Sequence, residues 1–226
     1  MEPSFLAELD SDDRRRILDA GVRRVFQPGE IVFREGDLAE TLHLLRHGHA
    51  AVRITTRWGD VATLNILGPG DTFGELALIQ PQLRRSASIA ALDEVETLVL
   101  HRSVFEELRR TCPTVDRFLV LVLTERVRAL SDQVRDAYYA PAAVRVLRQL
   151  QALCRIYDGA TDGSADTQPT ETVVPVTQEV LASMAGTTRS TVNRALQDAA
   201  ADGFVRLTRG KVVVVDPVGL GQRARV

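Results

Sequence analysis

Between Val22 and His101 the apolar and β-branched residues fall into short runs, each closed by turn-forming residues. Val22 to Phe26 ends at Pro28-Gly29, Ile31 to Phe33 at Glu35-Gly36-Asp37, and Leu42 to Leu45 at Gly48. Ala50 to Thr56 ends at Trp58-Gly59-Asp60 and Val61 to Leu67 at Gly68-Pro69-Gly70-Asp71; Ser86 to Ala91 and Val95 to Leu100 complete the series. Such spacing leaves no room for helices of about ten residues and predicts an antiparallel sandwich, barrel or roll.

From Arg102 the period changes. After Pro113 a run free of proline and glycine continues to about Tyr139, with Val120, Leu123, Val127, Leu130, Val134 and Ala137 alternating at spacings of three and four. That is a heptad seam, and a helix of about 25 residues, near 38 Å long, overruns a small domain. A parallel coiled-coil dimer explains it best, the alternative being one core stripe within a single chain. Ala140-Pro141 breaks the helix as a hinge, and Ala142 to Tyr157 resumes a helical pattern. Asp158 to Thr172, rich in Gly, Ser, Asp, Thr and Pro, reads as a surface loop. A strand from Val173 to Val176, two helices around Gly186 and a hairpin near Arg209-Gly210 follow.

Composition narrows the field. The 226 residues are 45% hydrophobic and 26% charged, a soluble globular balance with room for two cores. There is no apolar stretch of membrane-spanning length and no signal-peptide pattern at Met1 to Asp10, so the cytoplasm is the expected compartment. Cys112 and Cys154 are far apart, which excludes a disulfide framework and a thiolate metal cluster and leaves both as small buried apolar groups. His43, His47 and His49 bracket a turn without a carboxylate or thiolate partner; surface or strand positions are expected for them, and no metal. No nucleophile–base pair or paired carboxylate motif points to an enzyme. Net charge is −2, yet the residues from Thr172 onward carry +3 against −5 elsewhere. A mildly basic C-terminal module on an acidic body fits local contact with DNA.

The C-terminal pattern gives that contact a geometry. Thr177 is a plausible N-cap for a helix from Gln178 to Met184; after the Gly186 turn a second helix opens at Thr187 or Thr188 and runs to Ala201. In a helix-turn-helix the N-terminal end of the second helix enters the major groove, which aims Arg189, Ser190 and Arg194 at base edges. Thr177, Thr188 and Thr191 suit phosphate oxygens. The hairpin Val205 to Val215, with Arg206, Arg209 and Lys211, would be a wing along the DNA backbone, the alternative being a plain packing hairpin.

A second constellation lies in the β-rich part, from Asp71 to Ala87. Gly74 lets backbone approach an anion, Arg85 offers a charged fork for phosphate oxygens, Ser86 adds a hydroxyl, and Glu75 can accept from a sugar hydroxyl. Together they describe a phosphate–sugar cradle. Spacing alone leaves open the alternative that Glu75 and Arg85 merely pair with each other.

The sequence resembles the CRP/FNR superfamily of bacterial transcription regulators over nearly its whole length. The resemblance rests on Pro28-Gly29-Glu30, Glu35-Gly36-Asp37 and Leu67-Gly68-Pro69-Gly70-Asp71, and above all on two motifs. These are Phe73-Gly74-Glu75-Leu76-Ala77-Leu78 with Arg85-Ser86-Ala87, and Thr188-Arg189-Ser190-Thr191-Val192-Asn193-Arg194. It implies an α+β fold: an N-terminal antiparallel, jelly-roll-like β-roll (1–112), a long dimerisation helix and hinge (113–140), and a C-terminal winged helix-turn-helix (141–226). It further implies that Glu75 meets the ribose 2′-hydroxyl, Gly74 supplies backbone close to the phosphate, Arg85 and Ser86 hold the cyclic phosphate, and Arg126 and Ser131 of the dimer helix approach the nucleotide, with Leu76 and Leu130 also in the ligand site. Cyclic AMP is favoured over cyclic GMP as effector, with no further cofactor. The implied partners are an operator in double-stranded DNA, a second copy of the chain joined along Val120, Leu123, Val127, Leu130 and Val134, and RNA polymerase.

Two departures stand out. The cyclic-AMP-responsive members carry a Thr-Ser pair where this chain has Leu130-Ser131, so one base-reading hydroxyl is missing. The usual Arg-Glu pair of the recognition helix is Arg189-Ser190, which removes a carboxylate acceptor for cytosine N4 and points to an operator other than the common TGTGA half-site. A pocket retuned or vestigial, with DNA bound without effector, is the alternative function; a nucleotide-binding interaction module without DNA is the remote one.

Overall fold

The computed structural model describes residues 11–79, 82–111, 115–158 and 171–224. Cys112, the start of the helical run at Pro113, the interior of the loop expected between Asp158 and Thr172, and the N-terminal segment read for a signal peptide lie outside them. The chain divides into two compact units, the first ending at Ser131 within one long helix and the second beginning at Asp132, with Ala62–Leu64 of the β-rich part grouped with the second.

In the first unit a helix, α1 (Ser11–Asp19), precedes eight strands: β1 (Val22–Phe26), β2 (Ile31–Phe33), β3 (Thr41–His47), β4 (Ala50–Thr55), β5 (Val61–Leu67), β6 (Thr72–Phe73), β7 (Ser88–Ala91) and β8 (Val95–His101). They form two four-stranded sheets in the orders β1-β8-β3-β6 and β2-β7-β4-β5. The pairings of β8 with β1 and β3, and of β7 with β2 and β4, are antiparallel, as the alternating apolar runs require. Phe26, Leu45, Val52, Leu67, Phe73, Ile89 and Val95 fill the space between the strands. A second cluster of Ile17, Leu42, Leu78, Leu100, Phe105, Val115 and Val122 holds α1, α2 (Arg102–Thr111) and the start of α3 (Val115–Tyr139).

Three details differ from the expectation. β7 starts at Ser88 rather than Ser86, its ladder with β4 opening at the Arg53–Ser88 pair. The two-residue strand β6 is not among the expected runs, and the short helix beside Gly74 (φ +80°) is a 3-10 turn, Glu75–Leu78. His43 and His47 lie on strand β3, within the expectation, but His49 is buried off the strands and does have a carboxylate partner, Asp93 at 2.6 Å.

The seam on α3 is not a core stripe of one chain. Val120, Val127, Leu130 and Val134 are 60%, 61%, 44% and 54% exposed, which disfavours the intramolecular alternative and leaves an apolar face for another surface. Leu123 alone of the seam's five large residues is half-buried.

In the second unit α3 stops at Tyr139 and α4 (Ala142–Asp158) begins after Pro141, as the helix break predicts. Strand β9 (Thr172–Val174) ends before Pro175, which has no N–H to give, so it is shorter than the Val173 to Val176 expected. Helices α5 (Gln178–Met184) and α6 (Arg189–Ala201) and hairpin strands β10 (Val205–Thr208) and β11 (Lys211–Val214) follow, with the sheet order β10-β11-β9. A further helix, α7 (Pro217–Arg223), capped by Asp216, stands outside the elements expected from the sequence. Arg145 of α4 donates from Nη1 to the Ala140 carbonyl (2.9 Å), from Nε to Ala185 (2.9 Å) and from Nη2 to Gly186 (3.0 Å). Arg148 joins the Asp136 carboxylate at 2.5 Å and the Ala224 carbonyl at 2.9 Å.

Candidate ligand cavity and nucleic-acid interface

The cavity of the first unit is built where β6 runs into the 3-10 turn and faces the segment before β7. Gly74, Glu75, Leu76, Arg85 and Ser86 share its wall, and Arg126 of α3 reaches it. Its mouth is open and its free interior volume is about 60 Å³. A neighbouring hollow shares Leu67, Thr72, Glu75 and Arg126 and adds the carboxylates of Asp71 and Glu125. Six of the eight expected ligand residues therefore come together from segments far apart in the chain.

Leu130 and Ser131 do not join them. Both are exposed, neither lines the cavity or the hollow, and the Ser131 hydroxyl donates to the Val127 carbonyl of its own helix at 2.9 Å.

Arg85 is 6% exposed, an unusual place for a guanidinium. Nη1 donates to the Thr41 carbonyl at 2.8 Å and Nη2 to the Thr41 hydroxyl at 2.7 Å; the Gly74 carbonyl is 3.4 Å from Nη1. Its plane lies over Phe33, 3.9 Å from the ring centre. Glu75 takes none of these bonds, so the two charges do not simply cancel across a surface turn. Nε is buried with no partner among the described residues. Burial lowers the Arg85 pKa from its ordinary value, opposed by the nearby carboxylates of Glu75, Asp37 and Glu40. Burial likewise raises the Asp71 carboxyl, against the Gly68 N–H that it accepts at 2.8 Å.

Sequence reasoning missed the support beneath this arginine. Thr41 and His43 sit two apart on β3 and so share a face of the strand, an alternation that could have drawn attention to them. Phe33 and Phe73 complete the floor.

In the second unit Thr177 and Thr188 cap the two helices as expected: their hydroxyls accept from the N–H groups of Val180 at 3.2 Å and Thr191 at 3.3 Å. Val192, Ala195, Leu196 and Ala199 bury one face of α6. The other face exposes Arg189, Ser190, Asn193, Arg194 and Gln197; Asn193 and Gln197 were not among the expected contacts although their helical spacing puts them there. The Thr188 hydroxyl lies 2.8 Å from that of Ser190 and 3.0 Å from that of Thr191, so three of the expected phosphate- or base-facing hydroxyls cluster at the helix start. Thr177, Arg189, Arg209 and Lys211 line one open groove between the helices and the hairpin. Arg206 is committed elsewhere, holding Glu171 through two bonds of 3.2 and 2.6 Å, which offsets one cation of the expected wing.

Comparison with known proteins agrees with both geometries. A family model described as the cyclic nucleotide-binding domain matches residues 23–112, and one described as the Crp-like helix-turn-helix domain matches residues 144–223. The CRP-like cAMP-activated global transcriptional regulator of Mycobacterium tuberculosis is 31% identical over 200 residues, 88% of this chain and 87% of the relative. The cyclic AMP receptor protein of Thermus thermophilus is 33% identical over 192 residues, 85% and 83% of the two chains. Among solved structures, the catabolite activator protein of Thermus thermophilus is 30% identical, with a TM-score of 0.54 over 98% of each chain. A CRP/FNR-family transcriptional regulator of the same species shares the fold at 20% identity, with a TM-score of 0.73 over 91% of this chain and 99% of the other. This chain therefore belongs to the CRP/FNR family: it is a DNA-binding transcription regulator that carries a cyclic-nucleotide-binding domain.

Proposed function

We propose that cyclic AMP, in preference to cyclic GMP, binds the cavity of the β-roll and raises the affinity of a dimer of this chain for its operator. Glu75 would accept from the ribose hydroxyl, Arg85 and Ser86 would hold the cyclic phosphate, the backbone of Gly74 and Leu76 would close on it, and Arg126 would meet it from α3. The observation that carries this reading is Arg85: a guanidinium buried in a cavity wall, its Nε–H without a partner among the described residues, beside a glycine at positive φ, suits an entering anion. The names of the Mycobacterium and Thermus relatives support cyclic AMP as the first nucleotide to try.

The exposed α3 seam supports pairing through Val120, Leu123, Val127, Leu130 and Val134. Leu130 and Ser131, away from their own chain's cavity, would meet nucleotide only across such a dimer. On the DNA, Arg189, Ser190 and Arg194 would face base edges, with Thr177, Thr188, Thr191, Arg209 and Lys211 on phosphates. The partition into a β-roll over 1–112, a dimerisation helix over 113–140 and a DNA-binding part over 141–226 follows from these roles, as does action in the cytoplasm. No helix among the described residues is long and apolar enough to cross a membrane.

Coupling would be a population shift: nucleotide gripped between the cradle and Arg126 favours one setting of α3 and its hinge, and with it one spacing of the recognition helices. A second reading, a retuned pocket, is favoured by one observation, that Thr41 already holds both terminal nitrogens of Arg85. Calorimetric titration with cyclic AMP and cyclic GMP separates the two. Heat with cyclic AMP that vanishes in Arg85→Ala supports the first, and no heat with either nucleotide defeats it.

A further inference from the structure

We infer that His43 is a positioning residue for Arg85, acting through the Thr41 hydroxyl, and that this buried relay sets how tightly the cavity holds a cyclic phosphate. The inference rests on the reading of the cavity as a cyclic-nucleotide site and adds to it a residue outside the cavity wall.

The Arg85 end of the relay has a direction fixed by chemistry, and we assign the rest of the relay from it. A guanidinium can only donate, so the 2.7 Å contact between Arg85 Nη2 and Thr41 Oγ1 makes the threonine oxygen the acceptor. The Thr41 proton is then free for His43 Nε2, 3.0 Å away. Nε2 can accept only if the ring is neutral and carries its proton on Nδ1, which points at the Thr97 hydroxyl at 3.2 Å. Each proton from Arg85 to Thr97 thus finds an acceptor, and bonds aligned in one sense in a buried site reinforce one another. The surroundings favour the neutral ring: burial first, then the positive charges of Arg85 and Arg24 and the neighbouring His101, push the His43 pKa down to about 3.

The ring holds the other half of the cradle as well. His43 stacks on Phe73 with centroids 4.9 Å apart and planes 11° from parallel, and Phe73 is the residue before Gly74. Phe33 lies 5.8 Å from the His43 ring and directly under Arg85. One imidazole therefore braces both segments that the phosphate must bridge, by stacking on one side and by hydrogen bonds on the other. A guanidinium held in place before the ligand arrives loses less freedom on binding, which is how a residue that touches no ligand can change affinity.

The test uses the full chain and cyclic AMP, measured by calorimetry at pH 7, with a thermal melt for every variant. His43→Phe keeps an aromatic ring over Phe73 but removes the acceptor; His43→Gln returns an acceptor near the position of Nε2. His43→Phe is expected to weaken binding by about tenfold or more, the cost of one lost bond to a charged network, with His43→Gln recovering most of it. Thr41→Val is expected to weaken binding to a similar degree, and the double variant His43→Phe, Thr41→Val to be no weaker than the worse single one, because both remove the same relay. The imidazole nitrogen spectrum of the ligand-free protein is expected to show an unprotonated Nε2. Binding by His43→Phe at the unsubstituted level, additive losses in the double variant, or a proton on Nε2 would each overturn the inference while leaving the functional reading intact. No uptake of cyclic AMP by the unsubstituted protein would instead overturn that reading, and the positioning role with it.

Discussion

Gly74 and Arg85 hold their places only because residue 74 has no side chain: a Cβ there would stand 2.4 Å from Arg85 Nη1 and 2.7 Å from the Thr41 carbonyl oxygen. The backbone at Gly74 is also left-handed, at φ +80°. Gly74→Ala therefore meets strain and collision together. Left-handed strain in a residue with a side chain costs roughly 1–3 kcal/mol, and the collision falls on the arginine that the cavity depends on. The expected outcome is a folded protein whose affinity for cyclic AMP drops by at least about tenfold, read by calorimetry beside a thermal melt. Unchanged affinity would mean that Arg85 has no part in holding the ligand.

The buried imidazole gives stability a pH dependence of known sign. His43 has its pKa lowered in the fold from 6.5 to about 3, so the unfolded chain takes up a proton before the folded one does. Its contribution is whole above about pH 6.5 and is lost as the pH falls toward 3, at up to about 1.4 kcal/mol per pH unit. Urea unfolding at stepped pH between 7.5 and 4.5, compared with His43→Gln, isolates this residue from the titrating carboxylates. The difference in slope should lie below pH 6.5 and vanish above it.

Arg145 ties the hinge to the helix-turn-helix through three carbonyls, those of Ala140, Ala185 and Gly186. Arg145→Ala leaves all three without that donor and is expected to cost roughly 2–4 kcal/mol in urea unfolding. Arg145→Lys should recover little, since an ammonium lacks the planar fork that reaches three acceptors at once.

How much of this was legible beforehand depends on the range of the forces involved. Pro141 ended α3 and Pro175 ended β9 because proline lacks an N–H, a local fact visible in the letters. The caps at Thr177 and Thr188 are local in the same way. α7 was not legible, because Gly219 and Gly221 lower its intrinsic helix preference. Their need appears only in three dimensions: a Cβ on Gly219 would meet Phe204 at 2.6 Å, and one on Gly221 would meet Gln151 at 2.3 Å. The cradle residues were legible as a motif, but Arg85 turns on Thr41, 44 positions away, and no spacing rule reaches that far. His49 was misjudged for the same reason, since the carboxylate that lets it be buried, Asp93, comes from a distant segment; His43 lies on a strand as expected, and its partner Thr97 is equally distant.

The α3 seam makes a prediction about assembly. Val127 and Val134 are 61% and 54% exposed, so Glu at both positions disturbs no core of the single chain. Light scattering on the sized protein should show the unsubstituted chain at twice its 24.9 kDa mass and the double variant at that mass, with unfolding of the monomer's β-roll little changed. A double variant that remains at twice the mass would place the dimer contact elsewhere.

The most direct test of a nucleotide-controlled regulator is DNA affinity with and without effector. An operator is first selected from a random DNA pool in the presence of cyclic AMP, and its binding is then followed by fluorescence anisotropy at one fixed salt concentration. Saturating cyclic AMP is expected to tighten binding by about fivefold or more, the lower end of ordinary allosteric coupling, and Arg85→Ala to abolish the effect while retaining the effector-free affinity. Equal DNA affinity with and without cyclic AMP in the unsubstituted protein would contradict the account.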